Sequence, residues 1–176
     1  VKILIAYSSL HGSAAECARW LEKTMDGAEA VNLKEQVVDP SSYDRVILGS
    51  SIYGGQIQKE VRDFCKRYLG ILLQKQVGVY VTCLTREKAQ IRQFLENGFP
   101  PELVERLAAL CAPGGAIYFS KINFLERMFS KFLLNKYLKS LGMPPSDGKT
   151  DYVNLSKEIM NEFAKQMAGS GEKAEQ

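Results

Sequence analysis

Histidine is almost missing from this chain: His11 is the only one among 176 residues. The four cysteines, Cys17, Cys65, Cys83 and Cys111, are far apart and form no Cys-x-x-Cys pair. Zinc and iron–sulfur ligation need clustered His and Cys, so no metal site is expected. Cys17, Cys65 and Cys111 read instead as small core residues on helices in a reducing compartment. No apolar run reaches the roughly eighteen residues a spanning helix needs. The first residues open directly into a strand, so no signal peptide is expected and the chain should stay in the cytoplasm. Two phosphate-binding patterns are also missing, the Walker loop Gly-x-x-x-x-Gly-Lys-Ser/Thr and the dinucleotide fingerprint Gly-x-Gly-x-x-Gly. No Ser/His/Asp triad or pair of carboxylates stands out, and nothing resembles a nicotinamide-binding motif or suggests a nucleic-acid partner.

What remains is ordinary globular composition, with 45% hydrophobic and 24% charged residues. A chain of this length can bury one sizeable core. A single domain is expected over 1–168, with a disordered tail over 169–176, where apolar residues nearly vanish.

The most informative stretch is Ile3-Leu4-Ile5-Ala6-Tyr7-Ser8-Ser9-Leu10-His11-Gly12-Ser13-Ala14. Its continuous apolar start suits a strand covered on both faces. A helix beginning near Ser13 then carries Cys17, Ala18, Trp20, Leu21 and Met25 on its inner side. The first amides of that helix have no partner within it, and the helix dipole points its positive end at the turn. A phosphate can be held there without a lysine. A plain strand-to-helix turn capped by Ser13 explains the same residues. The segment Ser9-Leu10-His11-Gly12-Ser13-Ala14 resembles the phosphate loop of flavodoxins, a Ser/Thr-x-Thr-Gly-x-Thr pattern that holds FMN. His11 and Ala14 stand where hydroxyls are usual, which leaves more of the binding to backbone amides, Ser9 and Ser13.

Strands are expected at 29–33, 45–50, 77–83 and 116–122, and helices at 59–73, 87–96, 102–110 and 155–167. Apolar strands alternating with helices predict an α/β, doubly wound parallel sheet with helices on both faces. Five strands suit the flavodoxin-like order 2-1-3-4-5, with ligand beyond the carboxyl ends of strands 1, 3 and 4. The third strand runs into Gly49-Ser50-Ser51-Ile52-Tyr53-Gly54-Gly55. Its small residues allow close approach of a flat ring, and Tyr53 is placed to stack on one, as the corresponding flavodoxin aromatic does. An exposed tyrosine in a glycine turn is the alternative. The fourth strand ends in Thr82-Cys83-Leu84-Thr85, followed by Arg86-Glu87-Lys88, where flavodoxins usually carry a second aromatic and several acids. Fewer acids destabilise a reduced flavin anion less, which predicts a less reducing flavin suited to two-electron exchange.

An insert over 123–150 follows strand 5. Its helical period puts Leu125, Met128, Phe129, Phe132, Leu133 and Tyr137 on one face, with Arg127, Lys131 and Lys139 toward the other. Between Lys121 and Lys139 lie five bases and one acid, a net of +4, whereas the whole chain carries +3. A basic amphipathic helix reads as an element that meets a membrane surface or a partner. A stripe packed on the domain, with lysines as a solvated face, reads equally from the same residues.

Over nearly its whole length the chain resembles the menaquinone-dependent protoporphyrinogen oxidases. The first loop, Tyr43-Asp44-Arg45-Val46-Ile47-Leu48-Gly49-Ser50-Ser51-Ile52-Tyr53-Gly54, the insert with Phe129-Ser130-Lys131-Phe132, and Thr150-Asp151-Tyr152 carry the likeness. It implies FMN held by Ser8, Ser9, Leu10, His11, Gly12, Ser13 and Ala14, by Ser50, Ser51, Ile52, Tyr53 and Gly54, and by Thr82, Cys83, Leu84 and Thr85. The flavin carries the chemistry, so no catalytic side chain is implied. Arg127, Lys131, Phe132, Lys136 and Lys139 of the insert would engage a tetrapyrrole or other reduced substrate and the inner face of the cytoplasmic membrane, where a quinone takes the electrons. The alternative is an electron carrier docking on redox partner proteins. Carriers of this kind usually present an acidic surface, whereas this chain has pI near 8.6.

Overall fold

The computed structural model describes residues 1–169. Ile3–Ser8 form β1, and Ile3, Leu4, Ile5 and Ala6 are all buried. β1 lies between two parallel neighbours, β2 (Ala28–Asn32) and β3 (Arg45–Tyr53). A strand flanked on both edges and covered on both faces has no side that needs polar residues, which is why the run is continuous.

β4 is a two-residue antiparallel partner of β3 (Gln56–Ile57) that turns the chain into α2 (Lys59–Arg67). β5 (Gln76–Thr82) pairs with β3, and β6 (Ala109–Ile117) pairs with β5, both in parallel. β7 (Tyr152–Leu155) closes the far edge, antiparallel to β6. The path is β2-β1-β3-β5-β6-β7. With β4 set aside as a hairpin arm, its first five strands have the expected flavodoxin-like order.

Alternation along the strands splits the core into two layers. Leu4, Ala6, Val46, Leu48, Val77, Val79 and Val81 pack under α2, α3 (Leu69–Leu72), α4 (Lys88–Gly98) and α5 (Pro101–Val104). Ile3, Ile5, Ile47 and Tyr80 face α1 (Ser13–Thr24) and α7 (Lys157–Gly169). A smaller cluster of Phe119, Ile122, Leu134 and Leu138 fixes α6 (Phe124–Ser140) to the domain. A full capping box starts α6: Asn123 accepts from the Glu126 amide, and Glu126 accepts from the Asn123 amide.

Four expectations need correction. The helix expected at 102–110 ends at Val104, and the fifth parallel strand covers 109–117 instead of 116–122. Pro113-Gly114 lies inside this strand at a register shift against β5, with Gly114 at φ +113°. Such irregularities are where strands accept Pro and Gly. The helix expected over 59–73 breaks at Tyr68, whose ψ of 18° separates α2 from α3. The start of the expected closing helix, Leu155, belongs to the short antiparallel edge strand β7. Of the expected tail, Gly169 ends α7 and residues 170–176 lie outside the described residues.

Candidate functional site

The carboxyl ends of β1, β3, β5 and β6 open into one cavity of about 110 Å³, roofed by α6. At its β1 end, the residue preceding α1 is Gly12 in a left-handed conformation, φ +104°, and no side chain caps the helix. The first intrahelical bond runs from the Glu16 amide to the Gly12 carbonyl at 2.9 Å. The amides of Ser13, Ala14 and Ala15 therefore have no acceptor within the helix and sit at its positive end. Ser13 is the first helical residue, not the cap that the simpler reading of the sequence assigned to it.

The hydroxyls of this loop act mostly as braces. Ser9 Oγ accepts from the Gly12 amide at 3.0 Å, which closes the turn. The Leu10 amide donates to Ser51 Oγ at 3.0 Å and ties the loop to the end of β3. Ser13 Oγ and Thr82 Oγ1 lie 2.8 Å apart, a buried link from α1 to the end of β5. Tyr80, fully buried, donates to the Ala14 carbonyl at 2.8 Å. Lys34, which no motif singles out, donates from Nζ to the Ser9 carbonyl at 3.1 Å.

The structure brings ten of the predicted cofactor residues to the cavity wall: Leu10, His11 and Ser13, then Ser51, Ile52, Tyr53 and Gly54, then Thr82, Cys83 and Leu84. Six others do not line it. Ser8 is buried on the α2 side and donates to Glu60 Oε2 at 2.8 Å. Ser50 is also buried and accepts from the Gln58 amide at 2.9 Å, bracing the β3–β4 hairpin. Ser9 and Gly12 shape the turn from behind, and Ala14 is packed in the core under Tyr80. Thr85 Oγ1 accepts from the Glu87 amide just before α4. Gly115, Ala116 and Ile117 of β6 and Ser130 and Leu133 of α6 line the wall but were not anticipated. The β6 residues were hidden by the misplaced strand, although the Gly114-Gly115 pair was the visible signal of close approach.

Tyr53 stands 41% exposed at the cavity mouth. Its ring meets His11 edge-on at 6.1 Å between centroids and Phe129 of α6 at 6.3 Å. His11 Nε2 is shielded from solvent and has no acceptor. Burial pushes this imidazole below its ordinary pKa, opposed by the Glu126 carboxylate and reinforced by Lys34. Burial also raises the Cys83 thiol to about 12, so at neutral pH it is a protonated wall group. No Asp or Glu contributes to the wall among the described residues. Arg86 turns away, with Nη2 at 3.3 Å from both the Pro113 carbonyl and Asn154 Oδ1, where it clamps β6 to β7.

The insert helix presents its faces unexpectedly. Ser130, Leu134 and Leu138 are its buried residues. Arg127 donates from Nη2 to the Phe119 carbonyl at 2.9 Å, and the Lys131 stem lies against Gly148. These two bases thus fasten the insert. The large apolar residues point outward, with Leu125 76% and Phe132 66% exposed beside Phe124, Met128 and Phe129, and Lys136 and Lys139 stand among them in solvent. The stripe is divided: Leu133 lines the cavity, Phe129 meets Tyr53 and Tyr137 packs beside Leu134 and Leu138, whereas Leu125, Met128 and Phe132 stay exposed.

A flavodoxin domain model matches residues 4–139. The chain belongs to the flavodoxin-domain family, and it has the flavodoxin-like α/β fold. Among solved structures, rubredoxin oxygen:oxidoreductase from Desulfovibrio gigas aligns over 96% of this chain at 16% identity and TM-score 0.50. The chain spans 34% of that protein's length. Oxidised flavodoxin 1 from Bacillus cereus aligns over 65% of this chain and 82% of its own, at 21% identity and TM-score 0.47. A flavoprotein from Lactobacillus acidophilus, solved in complex with FMN, aligns over 62% and 91% respectively, at 16% identity and TM-score 0.46. A comparison with curated proteins finds no match.

Proposed function

We propose that this chain is an FMN-dependent oxidoreductase of the quinone-linked protoporphyrinogen oxidase type, working against the cytoplasmic face of a membrane. The residues present fit FMN. Three unpaired amides at the start of α1, the left-handed Gly12 and the unpartnered His11 Nε2 make a cradle for a phosphate. Tyr53 and the Cys83-Leu84 segment would hold the ring between them.

Bound there, the flavin supplies reversible uptake of two electrons and a proton. The protein's part is position and environment. Ser51 and Thr82 lock the phosphate loop to the two neighbouring strand ends, so that ring and phosphate sites keep a fixed separation. A wall without carboxylates leaves a reduced flavin anion less destabilised than an acidic site does. Leu133 lines the cavity on the α6 side, and Phe129 meets the edge of Tyr53 at its mouth.

The observation that carries the oxidase reading is the outward apolar face of α6, directly above the cavity. Such a face, with Lys136 and Lys139 among the apolar side chains, suits an interface with lipid and with apolar, carboxylate-bearing substrates. Among the described residues no helix is long and apolar enough to cross a membrane, so contact would be peripheral. Protein loaded with FMN should oxidise protoporphyrinogen in the presence of a menaquinone analogue, read as porphyrin fluorescence. A rate no higher than the uncatalysed background contradicts the oxidase and favours a carrier that docks on redox proteins.

A further inference from the structure

A second groove, of about 350 Å³, lies on the other side of α1, between its outer flank and the β7–α7 corner. The proposed flavin site makes no use of it. Trp20, the only tryptophan in the chain, forms its centre. The indole Nε1 is shielded from solvent and has no acceptor, which is costly for a buried donor. Lys157 holds its ammonium over the indole ring, 5.1 Å from the centroid. Arg19 and Lys23 lie together on one flank of Trp20, all three cations are exposed, and among the described residues none of them has a carboxylate partner. The one acid in the wall, Glu16, is already engaged, accepting from Tyr118 Oη at 2.7 Å. The opposite wall is apolar, built by Val153, which is largely exposed, and Met160.

We propose that this groove binds a small amphiphilic carboxylate. The carboxylate accepts from the Trp20 N–H and lies beneath the Lys157 ammonium, with Arg19 and Lys23 completing the charge. Its hydrocarbon body lies along Val153 and Met160. Charge selects the anion, because Arg19, Lys23 and Lys157 outnumber the single wall carboxylate, Glu16, around a donor that lacks an acceptor. The apolar wall selects a carboxylate with a hydrocarbon chain over a bare oxyanion, which gains nothing from it. The groove, of about 350 Å³ and open along one side, leaves room for a medium-length chain such as that of octanoate.

The chain has one tryptophan, so ¹⁵N-labelled protein gives a single indole cross-peak that reports on this groove alone. Titrated with octanoate, that peak should move downfield and saturate, and inorganic phosphate or 1-octanol at the same concentrations should leave it in place. Lys157→Ala and, separately, Arg19→Gln should weaken the octanoate response about tenfold while the backbone spectrum stays folded. An indole peak that ignores octanoate overturns the proposal. So does an equal response to phosphate or to octanol, or an unchanged affinity in both variants.

Discussion

Two glycines show how the site depends on single residues. Gly49, in the middle of β3, belongs to the small-residue stretch whose pattern suggests space for a flat ring. The structure gives its space to Tyr80, whose ring lies 2.1 Å from where a Cβ at Gly49 would stand. That ring in turn carries the hydroxyl that holds the Ala14 carbonyl. Gly49→Ala should therefore destabilise the fold by about 1–3 kcal/mol through overpacking, with the denaturant slope unchanged and the midpoint lowered. Gly12 is the residue the turn itself requires. Gly12→Ala puts a side chain at φ +104°, and it should weaken FMN binding about tenfold, measured by quenching of flavin fluorescence. Cys83 sits in the same wall, with its thiol raised to about 12. Native protein at pH 7 should resist iodoacetamide at Cys83 over hours and react at once when unfolded. Fast labelling of the native thiol contradicts its placement. Of these features the turn itself was legible in the residues, because a Gly beside hydroxyls after an apolar strand marks a strand-to-helix turn, whether or not it serves a phosphate. The role of Gly49 was not, since it depends on a tyrosine 31 residues later that only the sheet brings alongside.

At the scale of elements, local pattern gave α1, β3 and β5 nearly as they stand and failed where one element conceals another. Pro113-Gly114 hid the middle of β6, and the four-residue β7 was too short to assert itself beside a helix. The apolar stripe of α6 was recognised, but periodicity cannot tell whether such a stripe faces a core or the outside. Here Leu134 and Leu138 do the packing. Leu134→Ala should cost about 2–5 kcal/mol, as a fully buried leucine does. Leu125→Ser with Phe132→Ser should leave thermal stability almost unchanged and abolish binding to anionic vesicles in a flotation assay. Undiminished flotation contradicts the membrane role of this face. The loop after α6 is organised by Asp147, which accepts from the Lys149 and Thr150 amides and from the Thr150 hydroxyl, and these bonds depress its pKa to about 2. Its contribution to stability is therefore complete above the unfolded value near 4 and is lost as pH falls toward 2. Asp147→Ala should lower the thermal midpoint at pH 7 and match the parent below pH 2.

For the molecule as a whole, charge and shape divide the labour. The sheet and its two core layers place the ends of β1, β3, β5 and β6 around one cavity, and the insert lays an apolar, lysine-bearing surface over it. A +3 chain whose excess lies in that insert is suited to anionic surfaces in a way acidic carriers are not. The family and the strand order were legible because they follow from alternation and one loop. Partners were not legible, because no internal packing constrains the exposed side chains that a partner would meet. Everything in this account rests on the α1 cradle and Tyr53 holding one flavin. Titration of FMN with the flavin-free protein tests this most directly: flavin fluorescence should fall to a plateau at one equivalent at micromolar concentrations. Folded protein that leaves FMN fluorescence unquenched would contradict it.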